Sequence, residues 1–445
     1  MDEQRALEIT RSLIGDLFGG HFDTVSVRFW DGSTLPDEDS RRATIVLNHP
    51  GALRAMLLPG DELSLAESYL YNDIDIEGDL EAVFDLAIDL QQQMEGWRQK
   101  LDLATQLLRL PSPAERQTMR GRARLSGRQH SLRRDRQAIA YHYNVSNDFY
   151  RLWQDSHMVY SCAYFCSPDD DLETAQQQKL EYLCRKLRLQ PGQTLLDIGC
   201  GWGGLVIHAA QSYDAQVTGI TLSEPQAEEA NRRIREAGLE DRARVVVQDY
   251  REVQPPQRDD AIGFDALVSV GMFEHVGEAL LPTYFRQAWE LLRPGGAFLN
   301  HGIARRATDS LPQGRTFSNT YVFPDGEVVP IGTTIRVAEE ASFEVRDVES
   351  LREHYARTLR CWVRNLEAHH DEALRYVDEP TYRVWRLNMS GSAHGFTSGR
   401  NTVYQTLLVK PHADGSLGLD GSGLPFTRED WYNAPADSNS GEIPY

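Results

Sequence analysis

One stretch constrains the fold more than any other. Thr194-Leu195-Leu196-Asp197-Ile198 reads as a short apolar strand that runs straight into Gly199-Cys200-Gly201-Trp202-Gly203-Gly204 and then into the helical run LVIHAAQSY. Glycines let the backbone approach a ligand at the mouth of a sheet, and the helix N-terminus that follows offers free N–H groups. Residues 170–302 alternate helix with short apolar strands around this loop, the strands being TLLDI, AQVTGI, ARVVV, DALVSV and GGAFLNHG. Such alternation predicts an α/β fold, a parallel sheet with helices on both faces. A nicotinamide cofactor would want GxGxxG and an acid about 20 residues further on. Here the spacing is GxGxGG, and the second strand ends at Thr221 with Glu224 only later.

The remainder divides by pattern. VSVRFW and ATIVLNH read as strands around a DGS turn, and helical periodicity follows until Pro111 and Pro113, so residues 1–110 are expected to form a small α/β domain with a helical extension. Residues 111–136 are expected to be a basic linker: the stretch 115–136 carries eight arginines against Glu115 and Asp135 in a chain whose net charge is −20. That balance argues against nucleic acid as a partner. The basic stretch reads either as a solvated linker or as a contact for an anionic lipid surface. Residues 137–410 are expected to be catalytic, and a tail rich in Gly, Asp, Ser and Asn at 411–445 is expected to be loose. An acidic start and the lack of any long uncharged apolar run predict a soluble, cytoplasmic protein. Cys162, Cys166, Cys184, Cys200 and Cys361 form no paired framework, so thiols are expected, with no metal site.

GxGxGG after a strand resembles the first motif of S-adenosylmethionine methyltransferases of the Rossmann-like class. The resemblance assigns Asp197, Gly199, Gly201 and Gly203 to the cofactor. Thr221-Leu222-Ser223-Glu224-Pro225-Gln226 opens the next helix, with Ser223 and Gln226 spaced as a capping box. Gln226 is also placed to reach ribose hydroxyls. Gln248-Asp249-Tyr250 follows the third strand, where amide, carboxylate or backbone is placed to read adenine, a plain loop being the alternative.

Four further strings narrow the family: HYNVSNDFY (142–150), YSCAYF (160–165), GMFEHVGE (271–278) and EHYARTL (353–359). In order and spacing they resemble the cyclopropane-fatty-acid synthases and the related mycolic acid cyclopropane synthases, over roughly residues 137–410; residues 1–110 resemble the lipid-binding extension of the longer bacterial synthases. The resemblance implies transfer of the sulfonium methyl of S-adenosylmethionine to a cis double bond of a phospholipid acyl chain, then loss of a proton as a cyclopropane ring closes. Tyr160 and Ser161 join the cofactor set on the same ground. A bound bicarbonate is implied as the base, cradled by Cys162, Glu274, His301, Ile303 and Tyr355. A carboxylate, an imidazole, a phenol and the backbone N–H groups of Cys162 and Ile303 supply acceptors and donors that suit its mixed oxygens. Taken singly, each of these residues has a structural reading as well. The cation formed on the alkene needs a dry, aromatic surround, for which Tyr164, Phe165, Phe273, Tyr321 and Phe323 are candidates.

Two departures stand out. Ser392 occupies the segment NMSGSAHGF where some relatives carry cysteine, which excludes a covalent cysteine mechanism from that segment. Asp325 replaces the first glycine of an FPGG turn. The reading is completed by a homodimer docked at the inner face of the membrane, with Arg120, Arg122, Arg124 and Arg128 as its contact. A methyl-branched or methylene fatty acid product, a small-molecule methyltransferase and a non-catalytic lipid carrier are the competing readings.

Overall fold

In the computed structural model, which describes residues 2–19, 22–37, 41–93, 97–113, 123, 125–143, 145–258, 262–309 and 314–432, the chain divides into two units. The first holds Met1–Arg124, Ser310–Pro324 and Trp362–Gly395. Its sheet contains β1 (Val25–Arg28), β2 (Thr34–Leu35), β3 (Ala43–Leu47) and β4 (Ile74–Gly78), in the order β2-β1-β3-β4. Alternate residues of β3 are buried, the period expected of a strand with one face on a core.

This division differs from the contiguous one read from sequence, in which 310–324 and 362–395 belong to the catalytic domain. Phe317, Tyr321, Val322 and Val384 are buried in one core cluster with Val25, Val27 and Ile45. Arg386 donates to Tyr69 Oη at 2.9 Å and to the carbonyl of Ile76 at 3.0 Å. These long-range contacts assign both segments to the first unit, and no linear pattern announces them.

The second unit, Leu125–Asp309, Asp325–Cys361 and Phe396–Tyr445, is built on a seven-stranded sheet. Its strands are β5 (Thr194–Ile198), β6 (Gln216–Thr221), β7 (Ala243–Val247), β8 (Phe264–Val270), β9 (Leu292–Arg305), β10 (Glu344–Ser350) and β11 (Asn401–Val409), in the order β10-β11-β9-β8-β5-β6-β7. β5 to β9 run parallel, as the alternation predicts, and β11 is antiparallel to both of its neighbours. Four of the five residues of β5 are buried, the continuous apolar pattern of a strand covered on both faces. Among the described residues no helix is long and apolar enough to cross a membrane.

Two segments expected to be irregular are ordered. The last residues of the basic stretch, 132–136, form the start of a helix, Leu132–Tyr143. The tail is held as far as residue 432: Trp431 is buried with its ring 5.5 Å from Lys186 Nζ, Asp430 pairs with Arg188 at 2.6 Å, and Arg428 pairs with Asp347 at 2.8 Å. A polar composition concealed one anchoring tryptophan. Residues 433–445 lie outside the described residues.

Candidate active site

In the sheet order β5 has β6 on one side and β8 on the other, so the chain reverses direction across the sheet at β5, where α/β proteins open a crevice at the carboxyl ends of their strands. The glycine loop leaves β5 at that point. Gly199 has φ +82, and a Cβ there would lie 2.6 Å from Met272 Cβ, so a side chain is excluded both by conformation and by space. The N–H groups of Gly199 and Cys200 donate to the carbonyl of Ile220, which fixes the loop against β6. Gly203 caps the helix Gly204–Ser212. Gly201 has φ +54, and the side on which its Cβ would stand is open. Asp197 is buried, and desolvation pushes its carboxyl up to about 7 against the opposing charge of Lys179.

At the end of β6, Ser223 Oγ accepts from the Gln226 N–H at 3.4 Å, the capping contact expected. The Gln226 side chain does not return to the Ser223 backbone; its Oε1 accepts from Thr221 Oγ1 at 2.7 Å. After β7, Gln248 Nε2 donates to the carbonyl of Glu252, while Asp249 accepts from the Arg251 N–H and guanidinium. Tyr250 is buried edge-on against Tyr284. The Asp249 carboxylate and Gln248 amide are thus engaged within the loop, and its backbone is tied as well, the Gln248 N–H donating to the carbonyl of Thr221 and the Asp249 carbonyl accepting from the Glu252 N–H.

Tyr160, Ser161 and Cys162 lie on a strap, residues 159–165, that has neither helix nor strand. Tyr160 stacks on His142 at 5.7 Å and stands edge-on to Tyr143 at 6.2 Å, and Tyr143 in turn faces Trp202 of the glycine loop at 6.2 Å. Cys162 is buried, with Sγ directed at the carbonyls of Ala163 and Leu351, and desolvation raises its thiol well above the ordinary range. Tyr355, on the helix Arg352–Ala368, has its phenol raised first by burial and then by Cys162, Glu274 and Tyr143, which brings four of these groups into one neighbourhood.

Glu274 follows β8 on a short 3-10 turn, Phe273–His275. Its Oε1 accepts from the Ile303 N–H at 2.7 Å, and its buried Oε2 has no hydrogen-bond partner among the described residues. Desolvation pushes this carboxyl up to about 7, against the Ile303 contact that favours the ionised form. The Ile303 N–H, expected to help cradle bicarbonate, is donated to Glu274 in this structure. His301, on β9, shares a strand face with Ile303. Burial, with Lys179 and Lys186 nearby, lowers its imidazole to about 3, so it is neutral near pH 7. Gln405 Nε2 lies 3.4 Å from His301 Nδ1, and the buried His301 Nε2 has no partner among the described residues.

Several other expectations are redirected. Tyr321 belongs to the first unit, where its hydroxyl donates to Glu67 at 2.8 Å, and Phe323 packs on the same core. Phe273 packs against Tyr284, Phe285 and the backbone of Gly302. Tyr164 stacks on His354 at 4.8 Å, and the Arg357 guanidinium lies over the Phe165 ring at 4.3 Å. Ser392 lies on the helix Glu379–Thr397, in the part assigned to the first unit. Asp325 takes the left-handed conformation (φ +62) that its glycine counterpart would adopt, and Arg134 holds it with two contacts of 2.5 and 2.9 Å. Arg128 is exposed; Arg120, Arg122 and Arg124 lie outside the described residues. Tyr143, Gln176, Lys179 and Gln405 were missed as site residues. Tyr143 sits inside the string HYNVSNDFY and was within reach; the others carry no local pattern.

A largely parallel sheet with a glycine loop at its reversal point, and a buried acid on the turn that follows the neighbouring strand, is the arrangement of an α/β enzyme that binds a nucleotide-like cofactor. A family model described as mycolic acid cyclopropane synthetase matches residues 130–406, and a model described only as a domain of unknown function matches residues 13–96. A "probable fatty acid methyltransferase" of Pseudomonas putida is 40% identical over 409 residues, 91% of this chain and 95% of its own. A protein of Mycobacterium tuberculosis with the same description is 36% identical over 88% of this chain and 92% of its own. The cyclopropane synthase MmaA2 of the same organism, a solved structure, superimposes with a TM-score of 0.58 at 34% identity, covering 62% of this chain and 98% of that one. The chain belongs to the mycolic acid cyclopropane synthetase family. It is an S-adenosylmethionine-dependent methyltransferase, in a family of cyclopropane-forming and methyl-transferring enzymes that act on fatty acyl chains.

Proposed function

We propose that this protein methylates the cis double bond of unsaturated acyl chains in membrane phospholipids and then removes a proton so that a cyclopropane ring closes. The observation that carries the reading is the neighbourhood of Glu274, Tyr355, Cys162 and Tyr143, in which the buried Glu274 Oε2 has no hydrogen-bond partner among the described residues. The group suits bicarbonate, which has one hydroxyl to donate and oxygens to accept: Glu274 supplies an acceptor, and the phenol of Tyr355 supplies a donor. Bound there, bicarbonate would supply the acceptor for the departing proton.

The chain's own residues do the rest. The Ile303 N–H turns Glu274 so that Oε2 is free, burial keeps Tyr355 protonated as a donor, and neutral His301 leaves Nε2 for a further contact. Burial of Glu274 and His301 limits the water that would quench a carbocation, and Tyr143 and Tyr160 supply aromatic faces of the kind that stabilise one. The substrate lies in a bilayer, and a net charge of −20 opposes an anionic surface. Of the basic stretch, Arg134 is committed to Asp325, whereas Arg128 and Arg133 are exposed. Each exposed arginine near anionic lipid contributes about 1 kcal/mol, and a homodimer would double the contact.

Expression in a host with unsaturated phospholipids tests the proposal. The expected result is phospholipid acyl chains one methylene heavier that fragment as cyclopropanes; unchanged lipids would overturn it. Depleting bicarbonate should slow the purified enzyme and re-adding it should restore the rate. A second reading is favoured by the relatives that match along most of the chain, both described as probable fatty acid methyltransferases. Here the first step is the same and the proton leaves elsewhere, giving a methyl-branched or methylene chain. Ring-sensitive fragmentation separates the two products.

A further inference from the structure

The strap at 159–165 has no ladder of its own, yet it carries Tyr160, Ser161 and Cys162. Two helices hold it: Arg352–Ala368 takes its far half, with Thr358 Oγ1 and His354 Nδ1 accepting from the Ala163 and Phe165 N–H groups at 3.0 Å each, and Leu172–Lys186 takes the half around Tyr160. Gln176 Nε2 donates to the carbonyl of Val159 at 3.1 Å and to that of Ser161 at 3.0 Å, the two carbonyls that flank Tyr160. Lys179 Nζ donates to Ser161 Oγ at 3.0 Å, and the Tyr164 N–H donates to the carbonyl of Ala175 at 3.0 Å. Gln176 and Lys179 are three residues apart and so share a helix face. Gln176 is 0% exposed and Lys179 is 2% exposed. Burying an ammonium and an amide is costly unless specific partners offset it, and a face needed for packing alone would be apolar. Here the hydrogen-bond partners are the backbone and hydroxyl of the segment assigned to the cofactor, while Asp155 and Asp197 lend Lys179 opposing charge.

We propose that Gln176 and Lys179 are positioning residues that set the strap for the cofactor, Gln176 through the two carbonyls around Tyr160 and Lys179 through the Ser161 hydroxyl. The proposal rests on the assignment of Tyr160 and Ser161 to S-adenosylmethionine. Lys179 touches no reacting atom; it acts through Ser161.

A double-mutant cycle on the full chain tests this, with S-adenosylmethionine affinity read by calorimetry. Ser161→Ala and Lys179→Met should each weaken binding about tenfold, and the double variant should be no worse than about twofold beyond the weaker single, because both remove one interaction. Losses that multiply to about a hundredfold would overturn the Lys179 assignment, since a merely structural lysine has no reason to couple to one hydroxyl. The second arm is hydrogen exchange of Gln176→Leu: amides at 160–165 should exchange at least about tenfold faster while those of 172–186 keep their protection. Exchange that is unchanged, or faster in the helix as well, would overturn the clamp. Should Ser161→Ala bind the cofactor like wild type, the cofactor assignment of Ser161 fails, and the Lys179 half of the proposal with it; the exchange measurement still decides the Gln176 half.

Discussion

The glycine loop and the cluster at Glu274 follow paired parallel strands, β5 and β8, yet they are made of different things. The loop is backbone. Its shape comes from left-handed φ values and from the space that Met272 denies to a side chain, and it needs no charge. The cluster is side chains taken out of water, where a carboxyl moves up to about 7 and an imidazole down to about 3. The first arrangement fits holding a ligand, and the second fits moving a proton. Damage to the loop should therefore appear in affinity, and damage to the cluster in turnover.

The largest expected effect lies on the loop side. Gly201→Val places a β-branched residue at φ +54 and fills the open side of the loop, so cofactor binding should fall below detection in calorimetry while the fold persists by circular dichroism. Affinity equal to wild type would remove the loop from the cofactor site.

On the cluster side, Tyr355→Phe removes one donor and should lower turnover about 10²-fold with affinity for S-adenosylmethionine unchanged. Turnover within about threefold of wild type would mean that the phenol orients nothing.

Acidity offers a third way to separate the regions. Glu274 offers both oxygens as acceptors only when ionised, and burial pushes its carboxyl up to about 7, so turnover should rise from pH 6 to pH 8 and then level off. For stability the sign is the reverse. A carboxyl whose folded pKa is raised stabilises most below its unfolded value near ~4.3, and that contribution is lost as pH rises through about 7. Glu274→Gln removes the loss, so its melting temperature should gain on wild type between pH 6 and pH 8; a constant difference would show that the carboxyl titrates normally. His301, lowered to about 3, stays neutral in the fold over this range while its unfolded form takes up a proton below ~6.5, so it adds a slope of opposite sign that both proteins share and that cancels in their difference.

The smallest effect is expected at the FPDG turn. Asp325→Gly relieves a left-handed aspartate but deletes the partner of a partly exposed Arg134, opposing terms that should leave stability within about 1 kcal/mol by chemical denaturation. A much larger loss would give the ion pair a weight that its exposure does not suggest.

The two regions also differ in how far the sequence revealed them. The loop was legible because strand, glycines and helix are contiguous, and the five parallel strands followed from the same local alternation. Glu274 was legible through the string that contains it, but its contact with the Ile303 N–H was not, because 29 residues and a strand crossover separate the two. Gln176 and Lys179 stayed hidden for the same reason, as ordinary polar residues of a helix until the strap folds onto them. Tyr321 misled because an aromatic in a matched segment looks the same whether it faces a substrate or, as here, Glu67 of another core. Trp431 was passed over inside a polar tail, where composition averaged away the residue that anchors it.

The separation of binding from proton removal is tested most directly on Glu274→Gln, with S-adenosylmethionine affinity and turnover on unsaturated phospholipid vesicles measured on the same preparation. The result expected is affinity within about twofold of wild type with turnover lowered by about 10² or more. Affinity and turnover falling together, or turnover that survives the substitution, would contradict the assignment of Glu274 to the chemistry.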